Sequence, residues 1–143
     1  MVATGNKVIH VQTQINAPVE IVWKYWTTPE DIKRWNAASE EWHTTHAENN
    51  LQPGGRFLSR MEAKDGSRGF DFSSIYNSVI KLKHISYTLD DGRKVTVTFS
   101  SVDNKTELTE SFEAESTNPV EMQRDGWKSI LDNFRNYTES QIK

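Results

Sequence analysis

"NPVEMQRDGWKSILDNFRNYTESQ", residues 118–141, is where the chain changes its period, and that change decides the fold. Val120, Gln123, Trp127, Ile130, Leu131, Phe134 and Tyr137 recur at intervals of three and four, which gathers them on one face of a helix. Asn118 supplies an N-cap and Pro119 the first helical position, where its missing N–H removes no bond. Gly126 in the helix interior costs up to ~1 kcal/mol against alanine, so close packing or a bend is expected there. The spacing predicts one long helix over residues 118–140, with Trp127, Ile130, Leu131 and Phe134 turned inward.

Upstream, the period is two. From Arg56 onward strands alternate with turns: "RFLSRMEA" closes at "KDGS", "GFDFSSIYNSVI" runs toward "KLKHISYTL", and "DDGR" makes a hairpin. "KVTVTFSSV" then meets "DNKT", and "TELTESFEA" ends the run at "ESTNP". This predicts an antiparallel meander of about six or seven strands. "QPGG", residues 52–55, is strong turn chemistry, and residues 36–54 read as loop with a short strand around "WHTTHAE".

Further upstream, "KVIHVQTQI" alternates as a half-buried strand. "NAPVEIVWKYWT" reads as a short helix capped by Asn16, and "PEDIKRW" as a second one capped by Thr28. Four of the five tryptophans fall here: Trp23, Trp26, Trp35 and Trp42. Trp23 and Trp35 are expected to anchor the two helices, and Trp26 and Trp42 to face an interior space.

The order is strand, two short helices, meander, long helix: an α+β layer arrangement in one domain spanning residues 1–143. A curved sheet gripping one helix leaves space between them, and small-molecule sites favour such concave apolar volumes. An open interior of ~300 Å³ or more would favour ligand binding or catalysis over a filled core.

Composition narrows the function. Net charge is −3 with no run of basic residues, so nucleic acid and anionic membrane surfaces lack their electrostatic footprint. Without cysteine there are no disulfides, thiolate metal sites or cysteine nucleophiles. "MVATGNKVIHVQ" is not a secretory signal and no apolar stretch approaches the ~20 residues of a membrane span, so a cytoplasmic location is expected. His43 and His46, three apart on a strand, point to opposite faces and are expected to hold no metal. The acidic run "ESFEAES" reads as the solvated side of a strand. No cofactor is expected: there is no glycine-rich phosphate loop and no nucleophile elbow.

"APVEIVWKYWTTPEDIKRW", "PGGRF", "DDGRKV" and "GWKSILDNFRNY" carry a resemblance to a known family. The chain resembles the single-domain, bacterial-type members of the family named after the activator of heat-shock protein 90 ATPase, over roughly residues 8 to 140. That family belongs to the START-like or Bet v 1-like (SRPBCC) superfamily. The resemblance implies a helix-grip fold: a curved antiparallel sheet, two short helices and a long C-terminal helix enclosing a cavity. Eukaryotic activators carry an additional N-terminal domain that does much of the chaperone stimulation. The resemblance here is to the START-like part, which implies a cavity-bearing module for a hydrophobic or aromatic small molecule. A co-chaperone-like protein-binding module is the alternative, and a polyketide-cyclase-like enzyme the second.

Residues expected to line the cavity are Trp26, Trp42, Phe57, Met61, Phe70, Phe72, Tyr76, Tyr87, Phe99, Trp127 and Leu131. Arg60 and Asp71, on neighbouring strands, are expected polar contacts; with Tyr76 they would serve a cyclase-like reaction.

Overall fold

The structure, a computed structural model, describes residues 7–37 and 39–142. The expected reading of the first six residues therefore lies outside it. The elements run β1 (Val8–Ile15), α1 (Val19–Thr27), α2 (Pro29–Trp35), β2 (Trp42–Asn49), β3 (Arg56–Ala63) and β4 (Gly69–Ile80). β5 (His84–Leu89), β6 (Lys94–Val102), β7 (Lys105–Glu113) and α3 (Val120–Gln141) follow. All seven strands form one antiparallel sheet in the order β1-β7-β6-β5-β4-β3-β2. This is the α+β helix-grip arrangement that the sequence pattern predicts.

Alternation builds the core. Ile9, Val11, Thr13 and Ile15 of β1 are buried while the residues between them are not. Val95, Val97 and Phe99 of β6, and Leu108 and Phe112 of β7, continue the same inner face. α3 lies across it, packing mainly on β1, with Leu131 and Phe134 at 0% exposure. Each such side chain contributes about 1.5–3 kcal/mol by burial.

The turns show which sequence signals held. Gly54 sits at φ 81°, and a Cβ on Gly55 would lie 2.0 Å from the Asn50 carbonyl oxygen, so "QPGG" requires both glycines. Asp103 and Asn104 form a two-residue hairpin with φ of 53° and 64°, the mirror-image turn that suits strand twist. "KLKHISYTL" is not one strand: residues 81–83 turn, with Leu82 at φ 69°. No glycine or proline signals this turn. The Leu82 side chain packs against the core, and that contact offsets the strain of a bulky residue in left-handed backbone.

The N-caps of α1 and α3 lie two residues and one residue beyond the expected positions. Pro18, not Asn16, holds the N-cap position of α1; the Asn16 N–H donates to Glu139 Oε2 at 2.8 Å. Pro119, not Asn118, holds that position in α3. There Gln123 ties the incoming loop: its Nε2 donates to the Asn118 carbonyl at 2.8 Å, and its Oε1 accepts from the Glu115 N–H at 2.8 Å. Thr28 does occupy the N-cap position of α2, yet its hydroxyl donates back to the Lys24 carbonyl at 2.6 Å. α3 is a single helix through Gly126, where an added Cβ would meet no heavy atom within 4 Å. Close packing is therefore not what that glycine serves.

Candidate functional site

Between the sheet and the first half of α3 lies a pocket of about 270 Å³, just under the lower end of typical ligand sites. Alternation delivers its walls. β3 contributes Phe57 and Met61, β4 contributes Phe70, Phe72 and Tyr76, and β5 contributes Ile85 and Tyr87. Trp26 of α1 and Trp35 of α2 close one end with Asn36, and Gln123, Trp127 and Ile130 of α3 form the roof.

The rings support one another. Trp127 stacks flat on Phe112, with centroids 3.9 Å apart and planes 10° apart, and meets Phe72 edge to face. Trp26 stacks on Trp35 at 4.8 Å, and both meet Phe134 edge to face at 4.9 Å. Trp35 Nε1–H donates to the Tyr25 carbonyl at 3.0 Å, so its polar edge is satisfied while its ring serves both core and pocket. These contacts hold the rings of the wall in place.

The floor is polar. Tyr76 donates to Asn49 Oδ1 at 2.5 Å, and Asn49 in turn donates to the Thr27 carbonyl, linking β4, β2 and the end of α1. Burial raises the pKa of both the Tyr76 and the Tyr87 phenols, with nearby Glu110 adding to the latter. Glu110 itself is 4% exposed and lines the pocket. It stands in a cross-strand row with Val11, Val97 and Ile85, so its neighbours in the ladder are aliphatic. Burial pushes its carboxyl up to about 8. Among the described residues none hydrogen-bonds to that carboxyl. The acidic run reads in the sequence as the solvated side of a strand, and for Glu110 the structure overturns that. The signal was present: Thr106, Leu108, Glu110 and Phe112 alternate onto one face, and all four are buried.

Eight of the eleven expected lining residues therefore stand around one pocket: Trp26, Phe57, Met61, Phe70, Phe72, Tyr76, Tyr87 and Trp127. Three do not. Phe99 and Leu131 are sealed in the core, where Phe99 packs against Trp23 and Trp26. Trp42 is set by register opposite Ala63, at a far corner of the sheet; its ring meets Phe70 and carries the Arg68 guanidinium at 5.5 Å. It borders a separate hollow of about 340 Å³ whose other walls include Lys33, Arg34, Glu40 and Lys64. Arg60 and Asp71 pair with each other at 3.4 Å outside the pocket. With Ser59 and Met61 buried, period-two alternation turns Arg60 outward beside Glu62.

His43 and His46 are not on opposite faces. Thr45 is left without a partner between two registers of the β2–β3 ladder, and this bulge leaves both histidines exposed. His46 bonds Glu48 at 2.6 Å. Among the described residues no group of three or more His, Asp or Glu side chains could hold a metal, and no helix is long and apolar enough to cross a membrane.

Comparison with known proteins agrees with the fold. An AHSA1-like protein from Aeromonas hydrophila is 43% identical, with 94% of each chain covered and a TM-score of 0.90. The protein Chr148 from Cytophaga hutchinsonii is 46% identical, covering 94% of this chain and 93% of its own, with a TM-score of 0.81. The protein NE0264 from Nitrosomonas europaea has the same fold (TM-score 0.81) at 16% identity, covering 97% of this chain and 98% of its own. No curated protein matches. The sequence pattern of the "Activator of Hsp90 ATPase homolog 1-like protein" family matches residues 16–139. The chain belongs to that family.

Proposed function

We propose that this domain is a cytoplasmic, non-enzymatic binding protein that holds one small hydrophobic or aromatic molecule between its sheet and α3. The observation that carries this reading is open space walled by rings that do not fill it. Phe57, Phe72 and Trp127 are only half-buried although they sit on inward-facing positions. A volume of about 270 Å³ fits a ligand of one or two rings better than a long lipid chain. Stacking against indole and phenyl faces adds about 0.5–1.5 kcal/mol per pair beyond area burial.

The cyclase-like alternative is weakened, because Arg60 and Asp71 lie outside the pocket. The co-chaperone alternative rests on family membership and would place function on an outer surface.

Titration with flavonoid-like or polyketide-like aromatics is expected to quench or shift intrinsic tryptophan fluorescence saturably. Trp127→Phe with Trp26→Phe should remove most of that change, whereas Trp42→Phe should leave it. A saturating signal lost only with Trp42 would refute the location. Absence of any saturable signal across such aromatics, with chaperone ATPase stimulation present, would favour the exterior-surface reading.

A further inference from the structure

Glu110 asks for an explanation that a purely apolar pocket does not supply. It occupies the centre of β7's inner face, flanked across the sheet by Val11 and Val97, at 4% exposure. A leucine there would suit the row better, because a buried carboxyl without a partner costs stability in either protonation state. Other charged groups at the pocket are already engaged. Arg93 donates to Asp91 at 2.8 Å and to the Glu113 carbonyl, and Glu115 accepts from the Asn118 N–H at 2.9 Å. Only Glu110 presents an uncommitted charge-bearing group to the cavity among the described residues. The surrounding wall is aromatic, and ring faces attract cations.

We propose that the molecule held in this pocket is a hydrophobic cation, its ammonium group paired with the Glu110 carboxylate and its apolar body against the Trp127 and Phe72 rings. This rests on the ligand-binding reading above and adds the charge of the ligand to it. Aromatic faces and a single carboxylate form a complementary receptor for an alkylated ammonium, which is weakly hydrated and cheap to remove from water. A ligand with neither charge nor hydrogen-bonding groups would leave the carboxyl without a partner.

The arrangement dictates a pH dependence. In the empty pocket Glu110 holds its proton up to about pH 8, whereas pairing with a permanent cation requires the ionised form. Binding a quaternary ammonium must therefore release one proton below pH 8, and affinity must rise with pH toward that value. The titratable and charged groups that share the pocket with Glu110 are Tyr76 from β4, Tyr87 from β5, Arg93 from the β5–β6 turn and Glu115 before α3. Burial keeps both phenols neutral through this range. α3 presents Gln123, Trp127 and Ile130 to the pocket, and among the described residues no histidine lines it.

The test compares benzyltrimethylammonium with neopentylbenzene, its uncharged carbon isostere, by tryptophan fluorescence at pH 6 and pH 8. The cation should bind at least about tenfold tighter than the isostere at pH 8, with roughly fifty-fold gain in affinity from pH 6 to 8. The isostere should show neither. Glu110→Gln should abolish the pH dependence and the preference for charge while still binding the isostere, and Glu107→Gln, on the exposed outer face of β7, should retain both. Equal affinity for the two probes at pH 8, or cation binding independent of pH, would overturn the cation assignment and leave the ligand-binding reading standing. Failure of both probes to bind, with flavonoid-like aromatics still binding, would also overturn the cation assignment. Failure of every probe would remove both.

Discussion

From Leu131 onward α3 is locked to the body of the protein. Leu131, Phe134 and Thr138 are at 0% exposure, the Tyr137 hydroxyl donates to Asp31 at 2.5 Å, and the Asn133 side chain donates to the Ala37 carbonyl. Before Leu131 the same helix borders the pocket, touching the sheet through Trp127 on Phe112. Met122 is 60% exposed, a Cβ added at Gly126 would meet no heavy atom within 4 Å, and Trp127 and Ile130 are half-buried along the pocket. One continuous helix thus serves as a wedge at its C-terminal end and as a roof at its N-terminal end. The difference lies beneath it: the aliphatic row of β1 reaches the wedge, whereas β3, β4 and β5 carry rings that line the open space under the roof.

This contrast can be broken at several points. Phe134→Ala should cost about 3–5 kcal/mol in urea denaturation, the range for a fully buried aromatic. Ile130→Ala, at the roof, should cost about 1 kcal/mol because half of the side chain already faces open volume. Equal costs would mean that the roof is as tightly packed as the wedge.

The next largest effect concerns pH. Glu110 has a folded pKa raised from 4.5 to about 8, so the folded state binds the proton more tightly than the unfolded chain does. The stability tied to that proton is fully present below pH 4.5 and is lost as pH rises toward 8. Between pH 5 and 8 it falls on the order of 3 kcal/mol. Glu110→Gln should remove this decline, seen as converging melting temperatures for the two proteins at low pH and a gap favouring the variant near pH 8. Parallel pH profiles would show that the carboxyl is hydrated inside the pocket.

The smallest effect sharpens the comparison. Gly126→Ala should stabilise by about 0.5–1 kcal/mol, since the added methyl meets no atom and the helix gains propensity. A loss of stability would reveal a contact at the roof.

Much of this was readable from residue order. Period-two runs placed the β3 and β4 faces, and period 3.6 placed Leu131 and Phe134 inward, because a buried face leaves its spacing in the sequence. Arg60 and Asp71 could have been assigned outward by the same rule, since Phe57, Ser59 and Met61 take the inner positions. Glu110 was hidden by its company: an acidic run suggests a wet strand, and only strict alternation with Leu108 and Phe112 shows otherwise. Trp42 and the two histidines depended on the register of β2 and its bulge at Thr45, which no residue type announces. The turn at Leu82 was equally silent, being held by packing rather than by turn chemistry. The pocket is a property of how far the sheet curls from the roof, and alternation does not encode a distance.

The pairing of β1 with β7 sets the timetable of the chain's own synthesis. Val8 finds its ladder partner only at Glu113, whereas the strands between them pair with neighbours close in sequence. At about 5–20 residues per second, the first strand waits roughly 5–20 s on the ribosome with Ile9, Val11 and Ile15 uncovered. The meander can assemble as successive hairpins during that interval, but the sheet cannot gain its last strand until β7 has emerged. α3, which packs mainly on β1, must come later still. The nascent chain therefore carries an exposed apolar strand through most of its translation, and its need for shielding is greatest before the C-terminal helix exists.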